Sequence, residues 1–330
     1  MVIGPRTSGA RPPGWLTRSG RDDRSPRPGT GGRWDGEQVD ARQSPSVDDA
    51  GVDGAGGPRA GHVPRYSLAK FVGRCNTRRV GPDRSLVLRA SGLVKRYRRT
   101  IAVDGIDLDV GAGERVALLG PNGAGKTTTL MMLLGVVSPD AGWVEIAGHR
   151  LPKERSEAAT HVGFAAGYLP LPERLRVSEF LAMFGRLYGL AQPGPAVALG
   201  LERFGISHLA ANMGNELSSG QRTLVGIIKA TLHRPELLVL DEPTASLDPD
   251  VALRVRSGLE RLCAEDGTAL LVTSHNMVEV ERLCERVVFV AGGRVVADGK
   301  PAEVAARFGV EDLEEVFLHL ASDEGRVTRP

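Results

Sequence analysis

Gly120-Pro121-Asn122-Gly123-Ala124-Gly125-Lys126-Thr127 is the stretch on which the fold turns. Ahead of it, Glu114-Arg115-Val116-Ala117-Leu118-Leu119 reads as a strand running into the loop, and Thr127 to Leu134 reads as an apolar helix leaving it. Glycines at 120, 123 and 125 let successive backbone N–H groups turn inward around phosphate oxygens, and the helix amino terminus behind them favours an anion. In such a loop Lys126 bridges the β- and γ-phosphates of a nucleotide, the Thr127 hydroxyl ligates magnesium, and Thr128 adds a phosphate hydrogen bond.

Outward from the loop, Leu86-Val87-Leu88-Arg89-Ala90 and the alternating Ile106-Asp107-Leu108-Asp109-Val110 predict strands of a small antiparallel sheet. From Leu171 to His233 the pattern is helical. Phe180, Leu181, Phe184, Leu187 and Tyr188 fall on one face, with Ser178 placed as the cap. Beyond it, strands at Leu237 to Leu240, Ala269 to Thr273 and Arg286 to Val290 alternate with helices at about Asp250 to Ala264 and Met277 to Cys284. That alternation predicts a parallel core sheet with right-handed crossovers. Leu237-Leu238-Val239-Leu240-Asp241-Glu242 delivers two carboxylates to a strand's carboxyl end. There Asp241 would hold magnesium through water, and Glu242 would polarise the attacking water as general base.

With Leu217-Ser218-Ser219-Gly220-Gln221 lying between loop and acidic strand, residues 86 to 320 resemble the nucleotide-binding subunit of an ATP-binding-cassette (ABC) transporter, motif by motif. The resemblance implies an α/β fold: a P-loop NTPase core with a mostly parallel sheet, a small antiparallel β-subdomain and a helical subdomain, about 171 to 233, bearing the signature loop. It implies ATP and magnesium as cofactors, with ATP bound by Tyr97, Gly120, Pro121, Asn122, Gly123, Ala124, Gly125, Lys126, Thr127, Thr128, Ser218, Gly220, Gln221 and Asp248. Tyr97 takes the place of the ring that stacks on adenine. Ser218 and Gly220 take the place of the signature groups that reach the γ-phosphate held by a second subunit, and Ser246-Leu247-Asp248 matches the loop crossing the dimer interface. His275 matches the switch histidine that works with Glu242; with Lys126 these form the implied catalytic set, and Thr127 and Asp241 the metal set.

The sequence departs from the family at two places. Ser219 stands where the family mostly has glycine, which leaves Ser218 and Gly220 available. More consequential is Val162-Gly163-Phe164-Ala165-Ala166-Gly167-Tyr168-Leu169-Pro170, where the family puts a glutamine at the strand end to touch magnesium and relay nucleotide state to the membrane partner. Gly167 or Tyr168 occupies that place, and Gln192 lies too far along to serve. Losing one preorganised polar contact predicts hydrolysis about 10- to 10³-fold slower, not absent, with Tyr168 or the Pro170-Leu171-Pro172 turn taking over mechanical coupling.

The remaining text sets bounds. Residues 1 to 85 hold 15 Gly, 14 Arg and 9 Pro, with 15 basic against 9 acidic side chains, a net +6, whereas the rest of the 330 residues carries 27 against 31, a net −4. A stretch so poor in apolar periodicity cannot offset its chain entropy by burial, so 1–85 is expected to be a disordered basic tail. It is also the text that a start assigned too far upstream in GC-rich DNA produces. Cys75, Cys263 and Cys284 lack metal-ligand spacing and point to a reducing compartment. No segment approaches a membrane span of roughly 18 apolar residues, and the amino terminus lacks a secretory apolar stretch.

The expectation is a cytoplasmic ATPase subunit, peripheral on the inner membrane face. It would act as a dimer, with homodimerisation expected, on a separate integral membrane permease. Ser274-His275-Asn276-Met277 and Glu279-Val280-Glu281-Arg282-Leu283-Cys284 resemble the drug, lipid and polysaccharide export branch. A terminal helix expected to end near Leu320, with a short tail over 321–330 in place of the C-terminal β-domain of many sugar importers, points the same way. The alternatives are a soluble cassette ATPase acting on ribosome or nucleic acid, for which the basic tail is the sole feature, and an ATP-dependent sensor. No nucleic-acid partner is expected.

Overall fold

Val116, Leu118 and their neighbours Ala117 and Leu119 are all fully buried, so the strand entering the glycine loop is covered on both faces and must lie inside a layered sheet. The computed structural model describes residues 85–167, 171–245 and 247–327, with side chains to residue 322. The expectations for the tail over 1–84, including Cys75, and for Tyr168, Pro170 and Ser246 lie outside the described residues. In chain order the elements are β1 (Leu86–Tyr97), β2 (Thr100–Gly111), β3 (Arg115–Leu119), α1 (Lys126–Leu133), β4 (Ala141–Ile146), β5 (His149–Leu151), α2 (Arg155–Thr160) and β6 (Val162–Ala166). There follow α3 (Val177–Leu187), α4 (Gly194–Arg203), α5 (Ser219–Thr231), β7 (Leu237–Asp241), α6 (Pro249–Asp266), β8 (Ala269–Thr273), α7 (Met277–Leu283), β9 (Arg286–Ala291), β10 (Arg294–Gly299), α8 (Pro301–Phe308) and α9 (Leu313–Val327).

Six strands form the core sheet in the order β10-β9-β3-β8-β7-β6. All neighbours in it are parallel except the β9–β10 hairpin. Side chains alternate across the sheet as the two-residue period requires. Ala117, Leu119, Leu238, Leu240, Leu270 and Val272 join the cluster that includes the α3–α5 helices. Val116, Leu118, Leu237, Val239, Ala269 and Leu271 join the cluster beneath the second sheet, ordered β2-β1-β4-β5 and antiparallel throughout. The core sheet is thus the middle layer, and its strand carboxyl ends are where the chain delivers its polar residues. Among the described residues no helix is long and apolar enough to cross a membrane.

Three local expectations are corrected. Ser178 does not cap α3; it lies inside the helix, whose cap is Arg176 in extended conformation. The first-turn N–H groups of Val177 and Ser178 donate instead to the Asn212 and Ala210 carbonyls at 2.9 and 3.0 Å, and Glu179 accepts the Arg176 N–H at 3.1 Å. Backbone from the turn before α5 therefore does what a serine hydroxyl would have done. Leu187, the last residue of α3, does not share the buried face of Phe180 and Leu181, being 71% exposed. The terminal helix does not stop near Leu320: α9 runs to Val327. β10 was not anticipated, although Gly292-Gly293, both at positive φ, form the two-residue turn that joins it to β9.

Candidate active site

At the end of β3 the backbone turns through Gly120 and enters α1 through Gly125, both in the left-handed half of φ space. A Cβ on Gly120 would stand 2.0 Å from the Val290 carbonyl oxygen, and one on Gly125 would stand 2.3 Å from that of Ala102. The loop is therefore pressed against β9 and β2 so closely that only glycine fits at either point. Lys126, the first residue of α1, folds back across the loop, and its Nζ donates to the Gly120 and Pro121 carbonyl oxygens at 2.5 and 2.9 Å. Its ammonium is thus held at the mouth of the loop, where the α1 amino terminus already favours negative charge.

Opposite stand the ends of β7 and β8. Asp241 Oδ1 accepts from the Thr273 hydroxyl at 2.5 Å, which fixes the carboxylate. Glu242 is one of the few non-glycine residues at positive φ, at 52°, and its N–H donates to the Thr273 carbonyl at 3.1 Å. A strained backbone of this kind costs on the order of 1–3 kcal/mol and persists only where its surroundings enforce it. Here it turns the Glu242 carboxylate out of the strand, where Oε1 lies 3.0 Å from His275 Nε2.

The two sides enclose one cleft of about 250 Å³, lined by Asn122, Gly123, Gly125, Lys126, Thr127 and Thr128 from the loop and α1, by Asp241, Glu242, Thr273 and His275 opposite, and by Ala102. Pockets for whole small molecules run at about 300–1,000 Å³, so the cleft is sized for the phosphate end of a nucleotide. Thr127 and Asp241 present hydroxyl and carboxylate oxygens, the hard donors that magnesium takes. Among the described residues no group of three or more His, Cys, Asp or Glu is placed to hold a metal unaided. A cation there would draw its remaining ligands from phosphate and water, as magnesium commonly does. Sequence reasoning passed over Thr273 and Ala102; Thr273 was legible only as the hydroxyl ending a strand of Leu and Val.

A family model described as "ABC transporter" matches residues 103–245, and one described as "AAA domain, putative AbiEii toxin, Type IV TA system" matches residues 212–281. "Nod factor export ATP-binding protein I" of Ralstonia nicotianae is 38% identical over 237 residues, covering 70% of this chain and 72% of that protein. The chain belongs to the ABC transporter ATP-binding subunits. "Linearmycin resistance ATP-binding protein LnrL" of Bacillus subtilis is 33% identical, over 70% of this chain and 78% of that protein. Among solved structures, "Structure of ATP binding subunit of ABC transporter" superposes with a TM-score of 0.65 at 28% identity, covering 71% of this chain and 99% of that one. As an ABC subunit the protein binds ATP and is an ATPase.

Not all residues expected from the ABC pattern meet in the cleft. Tyr97 ends β1, 46% exposed, with the Lys95 ammonium 5.8 Å above its ring. Ser218 caps α5: its Oγ accepts the Gln221 N–H at 3.3 Å, while Gln221 Oε1 accepts the Ser218 N–H at 2.9 Å. This reciprocal box occupies the Gln221 side chain in starting the helix. Gly220 is buried against α6, where a Cβ would stand 2.9 Å from Val251 Cγ1. Asp248, at the start of α6, is exposed and makes no side-chain capping bond there. Gly167, one of the two positions expected to replace the glutamine, donates its N–H to the Asp241 carbonyl at 3.2 Å, and a Cβ on it would stand 3.2 Å from the Glu242 carbonyl oxygen.

Proposed function

We propose that two copies of this chain close around two magnesium–ATP molecules and drive a separate integral membrane permease, of exporter type, from the cytoplasmic face. Lys126 and the loop N–H groups hold the β- and γ-phosphates, and Thr127 and Asp241 hold magnesium, which supplies charge neutralisation on those phosphates when bound. Glu242 takes a proton from the attacking water while His275 keeps its carboxylate oriented. Tyr97, exposed at the end of β1, offers the adenine a ring to stack on. The observation that carries the reading is a division of labour: the phosphate grip, the acid pair and His275 converge in one cleft, whereas Ser218, Gly220 and Asp248 lie outside it on α5 and α6. A helix amino terminus favours an anion, and in this reading the α5 start, with Ser218 exposed at its cap, meets the γ-phosphate held by the second copy. Export is supported by the names of the relatives, "Nod factor export ATP-binding protein I" and "Linearmycin resistance ATP-binding protein LnrL".

The deciding experiment is sedimentation of full-length Glu242→Gln with magnesium–ATP, with ADP and with EDTA. A dimer with ATP and magnesium alone is expected, and its loss in Ser218→Ala supports the shared site. A monomer under all three conditions sinks the dimer. Purification from detergent-solubilised membranes should bring down an integral membrane protein; a ribosomal or nucleoid catch would overturn the transport reading.

A further inference from the structure

His275 sits in the short loop between β8 and α7, and that loop's backbone is well fixed. The Asn276 N–H donates to Ser274 Oγ at 3.0 Å, and Asn276 Oδ1 accepts the Glu279 N–H at 3.1 Å to cap α7. The imidazole is less secure. Its side chain is 42% exposed, and the Glu242 carboxylate that meets its Nε2 is itself 37% exposed. A single hydrogen bond between two half-exposed side chains does not hold a ring in one rotamer against water.

The ring's second directional contact among the described residues comes from the far end of the sequence. Phe317 on α9 meets His275 with ring centroids 6.2 Å apart and planes at 85°, an edge-to-face pair within the favourable range. The helix that carries it is anchored twice. Leu313, Val316 and Leu320 are buried in the core, and the Leu313 N–H donates to Glu281 Oε1 of α7 at 3.0 Å. A cleft of about 600 Å³ lies between α9 and the His275 loop, lined on the α9 side by Glu314, Phe317 and Leu318 and opposite by His275 and Glu242, and Phe317 is the α9 residue whose ring meets the imidazole there.

We propose that Phe317 is a positioning residue for ATP hydrolysis, holding the His275 ring against Glu242, and that α9 thereby belongs to the hydrolytic machinery. The proposal rests on the reading of Glu242 and His275 given above. Phe317 touches no reacting atom; it acts by removing the rotamers in which His275 leaves the carboxylate.

The test is steady-state ATP hydrolysis by the full chain in Phe317→Leu, Phe317→Tyr, His275→Ala and the double variant Phe317→Leu/His275→Ala, each with its thermal unfolding midpoint. Leucine keeps the apolar bulk and loses the ring face and edge, so Phe317→Leu should lower kcat about 3- to 10-fold, with KM for ATP within about twofold and an unchanged midpoint. Phe317→Tyr should restore kcat to within about twofold, and the leucine substitution should cost nothing further once His275 is alanine. A Phe317→Leu protein that turns over like the parent, a tyrosine variant as slow as the leucine one, or an equal loss in the His275→Ala background each overturns the role of Phe317. His275→Ala at the parental rate would instead remove the assignment of His275 itself, whatever Phe317 does.

Discussion

Glu242 is the residue on which turnover should depend most. Its left-handed backbone, its N–H on Thr273 and its carboxylate 3.0 Å from His275 aim one oxygen at the cleft without using it to grip a nucleotide. Glu242→Gln keeps shape and hydrogen bonding and removes the proton acceptor. It should lower kcat about 10²- to 10⁴-fold while leaving ATP binding by equilibrium dialysis intact. Lys126→Ala should show the opposite split, losing ATP binding outright, because it removes the only lysine or arginine among the cleft's described lining residues. Gly120→Ala should fail earlier still. Its Cβ would be forced to within 2.0 Å of the Val290 carbonyl oxygen, so the loop must leave β9, and both the unfolding midpoint and ATP binding should fall.

At the scale of elements, β6 is where the sequence departs from the expected glutamine. β6 ends at Ala166 opposite Asp241, and Gly167 follows without the left-handed φ that would demand glycine. A Cβ there would stand 3.2 Å from the Glu242 carbonyl oxygen, tight enough to require a shift of a few tenths of an ångström but no rebuilding. Gly167→Gln should therefore fold, and restoring the polar contact should raise kcat by about 10-fold or more. Unchanged ATPase and unchanged transport would show that the position does not matter. β3, the glycine loop, α1 and the acid-bearing β7 were legible because each combines an unbroken apolar run with residues that chemistry demands at its end. What was not legible depended on partners distant in sequence. α3 takes its first-turn acceptors from residues 210 and 212, so Ser178 was an available but unused cap. β1 was read only to Ala90 because its register shifts between Ala90 and Leu93 interrupt the alternation that would have carried it to Tyr97. Within the site, Thr273 is one hydroxyl among apolar strand residues, and only the parallel pairing of β7 with β8 places it on Asp241.

Across the whole molecule, a buried charge cluster ties the layers together. Arg286 at the start of β9 donates to both Asp298 oxygens of β10 at 2.6 and 2.7 Å, to the Asp109 carbonyl of β2 at 2.9 Å, and stands 3.3 Å from Glu114 before β3. Arg286 and Asp298 are both buried, so Asp298→Ala leaves a guanidinium without its main counter-charge and should cost about 3–5 kcal/mol in urea unfolding. The two described cysteines add a pH dependence of known sign. Burial pushes the Cys263 thiol up to about 11 and the Cys284 thiol up to about 12, whereas in the unfolded chain both titrate near about 8.5. As pH rises above that value the unfolded chain gives up thiol protons that the folded protein keeps. Alkali therefore favours unfolding: this contribution is intact below about pH 8.5 and is lost progressively towards pH 11 and 12. Below pH 8 both thiols should resist iodoacetamide in the folded protein and react once it is unfolded, since the nucleophile is the thiolate. Above it, Cys284→Ala removes one of the two groups responsible, so its unfolding midpoint should fall less steeply between about pH 9 and 11 than the parent's. Equal slopes in a scanning calorimeter would mean that Cys284 ionises as readily folded as unfolded, and that the β9 side of the core admits water.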